Sequence, residues 1–420
     1  MLDLKMLREQ PDVVRAALAR RGGDVSIDAV LDADAKRRAV QTATDQLRSE
    51  QKVASAAVGN ASAEERPALL ATAKALSERV KAAEDEERAL AAQVRDLMLA
   101  IPNLPHESAP DGHAEADAVE VRTVGLPPVF DFEIRDHLQI GETLDIIDVE
   151  RGARTSGSRF AYLKGQLVML ELALVRYALG KLSDKGFTPV VPPVMVRREA
   201  MEGTGFLPTD EAQIYQLPDD DLYLAGTSEV PLAALHQGEF LPADSLPVRY
   251  AGFSTCFRRE AGTYGKDMRG IFRVHQFDKV EMFSFTTPEQ SWDEHEFLLS
   301  IEEEILTELQ IPYRVMNIAA GDLGQPAAKK YDVEAWMPGQ AAYREVTSCS
   351  NCTDYQARRL NCRVKTPDGP AFVHTLNGTA VAVGRTIIAI LENNQRADGS
   401  CHVPHALVPF TGFELIGPTP

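Results

Sequence analysis

Between Leu69 and Leu97 the apolar positions fall at alternating spacings of four and three: Leu69, Ala73, Leu76, Val80, Ala83, Leu90, Val94 and Leu97, with Glu87 interrupting the seam. Such a repeat predicts a helix packed along a second helix. A weaker seam precedes it at Val40, Ala43, Leu47, Ala54 and Ala57, with Glu50 interrupting. Gly59 and Asn60 allow a turn between the two, and Ser62 with Glu65 forms a capping-box pattern before Pro67. The pattern predicts an antiparallel helical hairpin over about 33–98, roughly 45 Å long for about 30 residues at 1.5 Å each. Periodicity alone leaves its use open between a bundle helix, a dimerisation coil and a projecting arm.

The helical pattern stops at IPNLPHESAP, Ile101 to Pro110, where three prolines intervene. Mixed short segments follow to residue 158. The run from Arg159 to about Asp184 reads as a long helix, and FTPVVPPVMV, Phe187 to Val196, as a strand ending near Pro192 and Pro193. From Phe257 to Phe283 the period becomes two. Arg258 and Glu260 share one face of a first strand, and Arg273, His275, Phe277 and Glu281 share one face of a second. Ala261 to Arg269, with Gly262, Gly265, Lys266 and Asp267, makes a plausible loop between them. An arginine on a sheet face can hold a phosphate or carboxylate bidentately, and a neighbouring phenylalanine offers a plate for a purine. The bland alternative is a hairpin carrying surface ion pairs; the clustering of four such positions favours a nucleotide site, suited to ATP. Farther on, LNGTAVAVGRTIIAILENNQ passes from turn residues into an apolar helix that carries Arg385 near its start.

These segments resemble, in order, motifs 1, 2 and 3 of the class II aminoacyl-tRNA synthetases, at about 159–196, 248–286 and 376–394. The chain is further similar to the bacterial-type seryl-tRNA synthetases through GTSEVPL (Gly226 to Leu232), the long motif 2 block, YREVTSCSNCTDYQARRLN (Tyr343 to Asn361) and LNGT before motif 3. The resemblance covers nearly the whole chain. It implies an α+β fold, with an antiparallel sheet flanked by helices and preceded by a coiled-coil arm. The domains it implies are an N-terminal tRNA-binding domain at 1–100, connecting segments at 101–158 and a catalytic domain at 159–420.

The implied reaction is two-step attachment of L-serine to tRNA(Ser), and to tRNA(Sec) where present. Serine attacks the α-phosphate of ATP to give seryl-adenylate and pyrophosphate, and the tRNA then takes the seryl group with release of AMP. By resemblance Arg258, Glu345 and Arg385 carry catalysis. Arg258 bridges the serine carboxylate and α-phosphate, while Arg385 covers a purine face or reaches the γ-phosphate. ATP is bound by Arg258, Arg259, Glu260, Arg273, Val274, Phe277, Glu345, Val346, Thr347, Ser348 and Arg385. Within that set Phe277 stacks on adenine beside Val274, and Glu345 with Ser348 holds Mg²⁺. Serine is bound by Thr227, Ser228, Glu229, Arg258, Glu281, Asn377 and Thr379. A homodimer through motif 1 is also implied. Met268, the pair Ala380 and Val381, and His405 depart from the family pattern and leave a specialised paralogue open.

Composition agrees with this picture. A chain of 420 residues with 44% hydrophobic side chains suits about two or three domains with real cores. No basic start precedes an apolar run, and nothing approaches the roughly 18 apolar residues of a membrane span, so a cytoplasmic protein with no membrane partner is expected. The net charge of −18 argues against RNA until it is divided: Lys36 to Ala100 holds 11 Lys and Arg against 10 Asp and Glu, and the excess acid lies elsewhere. Five widely spaced cysteines read as reduced thiols. Cys349 and Cys352 form a CxxC, but no second pair follows, so no zinc is expected. GTYGKD lacks P-loop spacing, and neither GxGxxG nor HExxH occurs. Two other functions are compatible with the fold: activation of serine or a close analogue for a carrier protein or small molecule, disfavoured by the arm, and a non-catalytic RNA-binding or scaffold protein, disfavoured by the presence of Arg258, Glu345 and Arg385.

Overall fold

The computed structural model describes residues 1–23, 25–262, 269–367 and 369–417. Gly265, Lys266, Asp267 and Met268 of the expected motif 2 loop lie outside the described residues. The chain divides into two compact units, one of Leu2–Ala19 and Gly23–Ile101, the other of Met1, Arg20–Gly22 and Pro102–Pro420.

The smaller unit is built on helices α1 (Asp28–Gly59) and α2 (Arg66–Leu99), which pair along their length. On α2 the seam is as expected, with Val80 and Val94 buried and Glu87 half-buried among them. On α1 it differs by one position: Thr44 is buried and Ala43 exposed. A threonine is tolerated there because its Oγ1 donates to the Val40 carbonyl at 2.9 Å. Arg48 donates to Glu84 across the pair at 2.9 Å. The capping box forms: the Glu65 amide donates to Ser62 Oγ, and the Ser62 amide to the Glu65 carboxylate, both at 3.3 Å. Near the root, Asp34 is fully buried and compensated by Arg8, Arg37 and Arg38 within 3.5 Å.

The larger unit is organised by a sheet of β1 (Val119–Val124), β2 (Thr188–Val190), β3 (Val248–Phe257), β4 (Gln276–Thr286), β5 (Tyr313–Asn317), β6 (Lys329–Met337), β7 (Ala342–Asn351) and β8 (His374–Ala382). Its order is β1-β5-β6-β7-β8-β4-β3-β2, antiparallel throughout except for β2 beside β3. Helices α3 (Gln166–Asp184), α4 (Ser291–Glu308) and α5 (Val383–Asn393) share its main core. Leu167, Leu170, Leu174, Ala178 and Leu182 place one face of α3 in that core, whereas Val168, Met169 and Leu172 on its other side are exposed.

Two expected boundaries move. The helix expected from Arg159 begins at Gln166, because Arg159 and Gly165 have φ of 62° and 57° and Tyr162–Leu163 pairs as a strand with Ile147–Asp148. The strand expected over Phe187 to Val196 is two short ones, β2 and Met195–Arg197. Pro192 and Pro193 between them have no N–H to continue a ladder. Among the described residues no helix is long and apolar enough to cross a membrane.

Candidate active site

A cavity of about 420 Å³ opens on strands β4, β7 and β8, the turn after β3 and the start of α5. Thr227, Glu229, Arg258, Glu260 and Arg273 line it, with Val274, Phe277 and Glu281, then Glu345 to Ser348, Asn377, Thr379 and Arg385. Ser228 and Arg259 are not among its lining residues. Ser228 is buried and donates to the Gly252 carbonyl at 3.3 Å, and Arg259 is exposed with its guanidinium 5.7 Å from the Tyr215 ring.

The strand assignments explain which side chains meet. β3 ends at Phe257 and β4 begins at Gln276, so Arg258, Glu260, Arg273 and His275 lie beyond the strands and not on their faces as expected. Their geometry is fixed by other bonds. The Arg258 amide donates to the His275 carbonyl at 3.0 Å, Arg258 Nε donates to the Gly226 carbonyl at 3.1 Å, and Arg273 donates to Glu260 at 2.8 Å. Phe277, Lys279 and Glu281 do alternate into the cavity from β4.

Two bulges bring residues into line that simple alternation would separate. Between β6 and β7, Val333 pairs with Thr347 but Glu334 pairs with Glu345, leaving Val346 as the extra residue. This bulge lets Glu345 and Ser348, three apart, occupy the same face. Between β4 and β8, Val280 pairs with Val381 and Glu281 with Thr379, so Ala380 is extra. Asn377 and Thr379 then both face Glu281. Asn377 Nδ2 donates to Glu281 Oε1 at 3.3 Å, and Thr379 Oγ1 donates to Oε2 at 3.2 Å.

One end of the cavity is therefore a nest of carboxylates and donors. Glu281 is fully buried, pairs with Lys279, and Lys279 Nζ donates to Thr227 Oγ1 at 2.7 Å. Glu229, also buried, accepts from Gln356 Nε2 at 2.7 Å. Burial pushes the Glu229 carboxyl up to about 7, helped by the charge of Glu281 and opposed by Gln356, Lys279 and Arg258. The other end is aromatic and cationic. Arg258 lies 5.2 Å from the Phe277 ring centroid. Arg385 pairs with Glu345 at 3.2 Å and packs 4.8 Å from the Phe272 ring. Although burial disfavours ionisation of Glu345, Arg385, Lys330 and Arg258 outweigh it and hold this carboxyl down to about 2.

Lys279, Phe272, Lys330 and Gln356 were missed from sequence. Of these, Lys279 had a usable signal, since it lies between Phe277 and Glu281 on the same face of β4. The five cysteines are free and buried, and burial pushes Cys349 and Cys352 well above the usual thiol range. Among the described residues no group of three or more His, Cys, Asp or Glu side chains is placed to hold a metal ion. Ala380 is 4% exposed within its bulge, and His405 is on the surface.

Residues 213–394 match the tRNA synthetase class II core domain (G, H, P, S and T), and residues 1–105 match the seryl-tRNA synthetase N-terminal domain. The chain is 54% identical over 420 residues to the serine–tRNA ligase of Thermobifida fusca, covering 100% of this chain and 99% of that one. It is likewise 54% identical over 420 residues to the serine–tRNA ligase of Nocardia farcinica, with 100% of both covered. Among solved structures it is similar to the seryl-tRNA synthetase of Pyrococcus horikoshii complexed with ATP, at a TM-score of 0.93 and 43% identity over 100% of each chain. The cytoplasmic serine–tRNA ligase of Naegleria fowleri in complex with AMP gives 0.89 at 35% identity, covering 100% of this chain and 99% of that one. With both family regions and full-length relatives in agreement, the chain belongs to the seryl-tRNA synthetases, class II enzymes that charge tRNA with serine.

Proposed function

We propose that the cavity activates serine with ATP as seryl-adenylate before transfer to tRNA(Ser), and to tRNA(Sec) where the host has it. The observation that carries this reading is the convergence on one cavity of Glu229 and Glu281 at one end, Phe277, Glu345 and Arg385 at the other, and Arg258 between them. Glu229 and Thr227 receive the serine ammonium, while Glu281, held by Asn377 and Thr379, accepts from its hydroxyl. Arg258 lies between the two ends and bridges the serine carboxylate and the α-phosphate. Phe277 and Val274 take the adenine, with Glu260 ordering that side. Arg273 and Arg385 are the cations for the outer phosphates.

The ionised carboxylate of Glu345 and the hydroxyl of Ser348, aligned by the β7 bulge, are hard oxygen donors that fit a Mg²⁺ arriving with ATP. When bound, that ion supplies charge neutralisation on the phosphates. No covalent intermediate with the protein is needed. The chain orients the reactants and stabilises charge, and no step calls for zinc.

A polar pocket of this kind rejects an amino acid that lacks the hydroxyl because its buried partners are left unpaired. The exposed Val168, Met169 and Leu172 on α3, with Val191 and Met195 nearby in sequence at 81% and 55% exposed, support a homodimer through motif 1. The paired helices α1 and α2 are the tRNA-binding element, and the place of action is the cytoplasm.

The pH dependence of serine binding tests the pocket. Below about pH 7 Glu229 is mainly a neutral acid, and the serine ammonium must displace a proton to pair with it. The KM for serine in ATP/pyrophosphate exchange is expected to rise about tenfold between pH 8 and pH 6, and Glu229→Gln to remove the slope. A flat profile in the unaltered protein would take Glu229 out of this role.

A further inference from the structure

Four consecutive carbonyls, those of Gly324, Gln325, Pro326 and Ala327, accept hydrogen bonds from two residues distant in sequence. Arg21 Nη1 donates to Gly324 O at 2.6 Å, its Nη2 donates to Ala327 O, and its Nε donates to Asn103 O at 2.9 Å. Asn103 donates through its amide to Gln325 O and through Nδ2 to Pro326 O, both at 2.9 Å. Arg21 makes no ion pair among the described residues. Burial lowers its pKa to about 10, which leaves it charged at neutral pH. A guanidinium half-buried among carbonyls gains no neutralisation from its site; what it supplies is a planar fork that sets the spacing of the chain it grips.

The gripped segment lines the cavity, and its contacts lead to the groups that hold Glu229 and Asn377. Pro326 lies 3.6 Å from where a Cβ on Gly205 would be, beside Phe206 of the same wall. Asn103 Nδ2 also donates to the Cys352 carbonyl at 2.9 Å, and the Cys352 thiol lies 3.9 Å from Asn377 Oδ1. Gln356, four residues on, holds Glu229. The clamp and the groups around Glu229 and Asn377 thus share one packed layer.

We propose that Arg21 and Asn103 are positioning residues for serine selection: together they fix the Gly324–Ala327 wall against which the bound amino acid is sized. Neither touches the substrate. The inference rests on placing serine at the Glu229–Glu281 end.

The test uses the full chain in ATP/pyrophosphate exchange. Arg21→Met and Asn103→Ala should each raise the KM for serine about tenfold or more, with the KM for ATP changed less than about twofold. Both should also narrow the preference for serine over threonine. Arg21→Lys, which keeps the charge and loses the fork, should fall between. Thermal midpoints measured alongside separate positioning from folding. A lowered midpoint with both KM values unchanged, or both KM values raised together, would overturn the proposal. Glu229→Gln serves as the reference: a serine KM that moves with Glu229→Gln but not with Arg21→Met removes the clamp alone. A serine KM indifferent to both removes the placing of serine, and this proposal with it.

Discussion

Arg258→Ala is expected to lower serine-dependent ATP/pyrophosphate exchange by about 10³-fold, as the loss of a preorganised charge-stabilising donor does elsewhere. The side chain is not free to be replaced by a neighbour. Its Nε is held by the Gly226 carbonyl at 3.1 Å, and its own amide is tied to His275 O at 3.0 Å, so the guanidinium is delivered to one point between the two ends of the cavity. Its charge has two further consequences. It helps to hold Glu345 ionised and it opposes the upward shift of Glu229. Removing it therefore takes away the proposed bridge, makes Glu229 harder to ionise for the serine ammonium and weakens the hold on the Glu345 carboxylate. Arg258→Lys keeps the charge without the bidentate fork and should recover part of the loss. Near-normal exchange by the alanine variant would refute the bridging role.

Replacing Asp45 to Leu90 by a short turn should have the opposite profile, leaving exchange within about twofold while charging of tRNA(Ser) falls by about 10²-fold or more. Arg48 faces Glu84, so Thr44 and Ala91 at the cut points lie close to opposite one another on α1 and α2. The buried Asp34 cluster and Val94, Met98 and Leu99 all lie outside the deleted segment, and its only buried apolar side chain among the described residues is Val80. The seam is thus shortened without opening the root of the hairpin. The two activities are read on the same preparation. Equal loss of both would show that this segment supports the catalytic fold.

Much of this was legible in sequence because it is periodic or local. The four-and-three seam of α2 predicted its buried face, including the half-buried Glu87, and Ser62 with Glu65 predicted the capping bonds that form. Phe277 and Glu281 share a face because β4 runs unbroken through them. Legibility ended where geometry depends on a partner strand. A spacing of three between Glu345 and Ser348 argues against a shared face, and only the register of β6 shows the bulge at Val346 that restores it. Thr44 displaced Ala43 in the α1 seam because a hydroxyl can satisfy itself on the preceding turn. Arg258 and Arg273 reach the cavity from chain beyond the strand ends, where alternation has no meaning. The grip of Arg21 on Gly324 and Ala327 spans about 300 residues and leaves no pattern at either end.

The central claim is that this cavity activates serine, and amino-acid-dependent ATP/pyrophosphate exchange without tRNA measures it most directly. Serine, threonine, alanine, cysteine and glycine are compared on the purified protein. The proposal predicts exchange with serine, whose hydroxyl would join the hydrogen-bonded nest of Glu281, Asn377 and Thr379, and little with alanine or glycine, which would leave that nest unpaired. Exchange as fast with alanine as with serine, or none with any of the five, would contradict it.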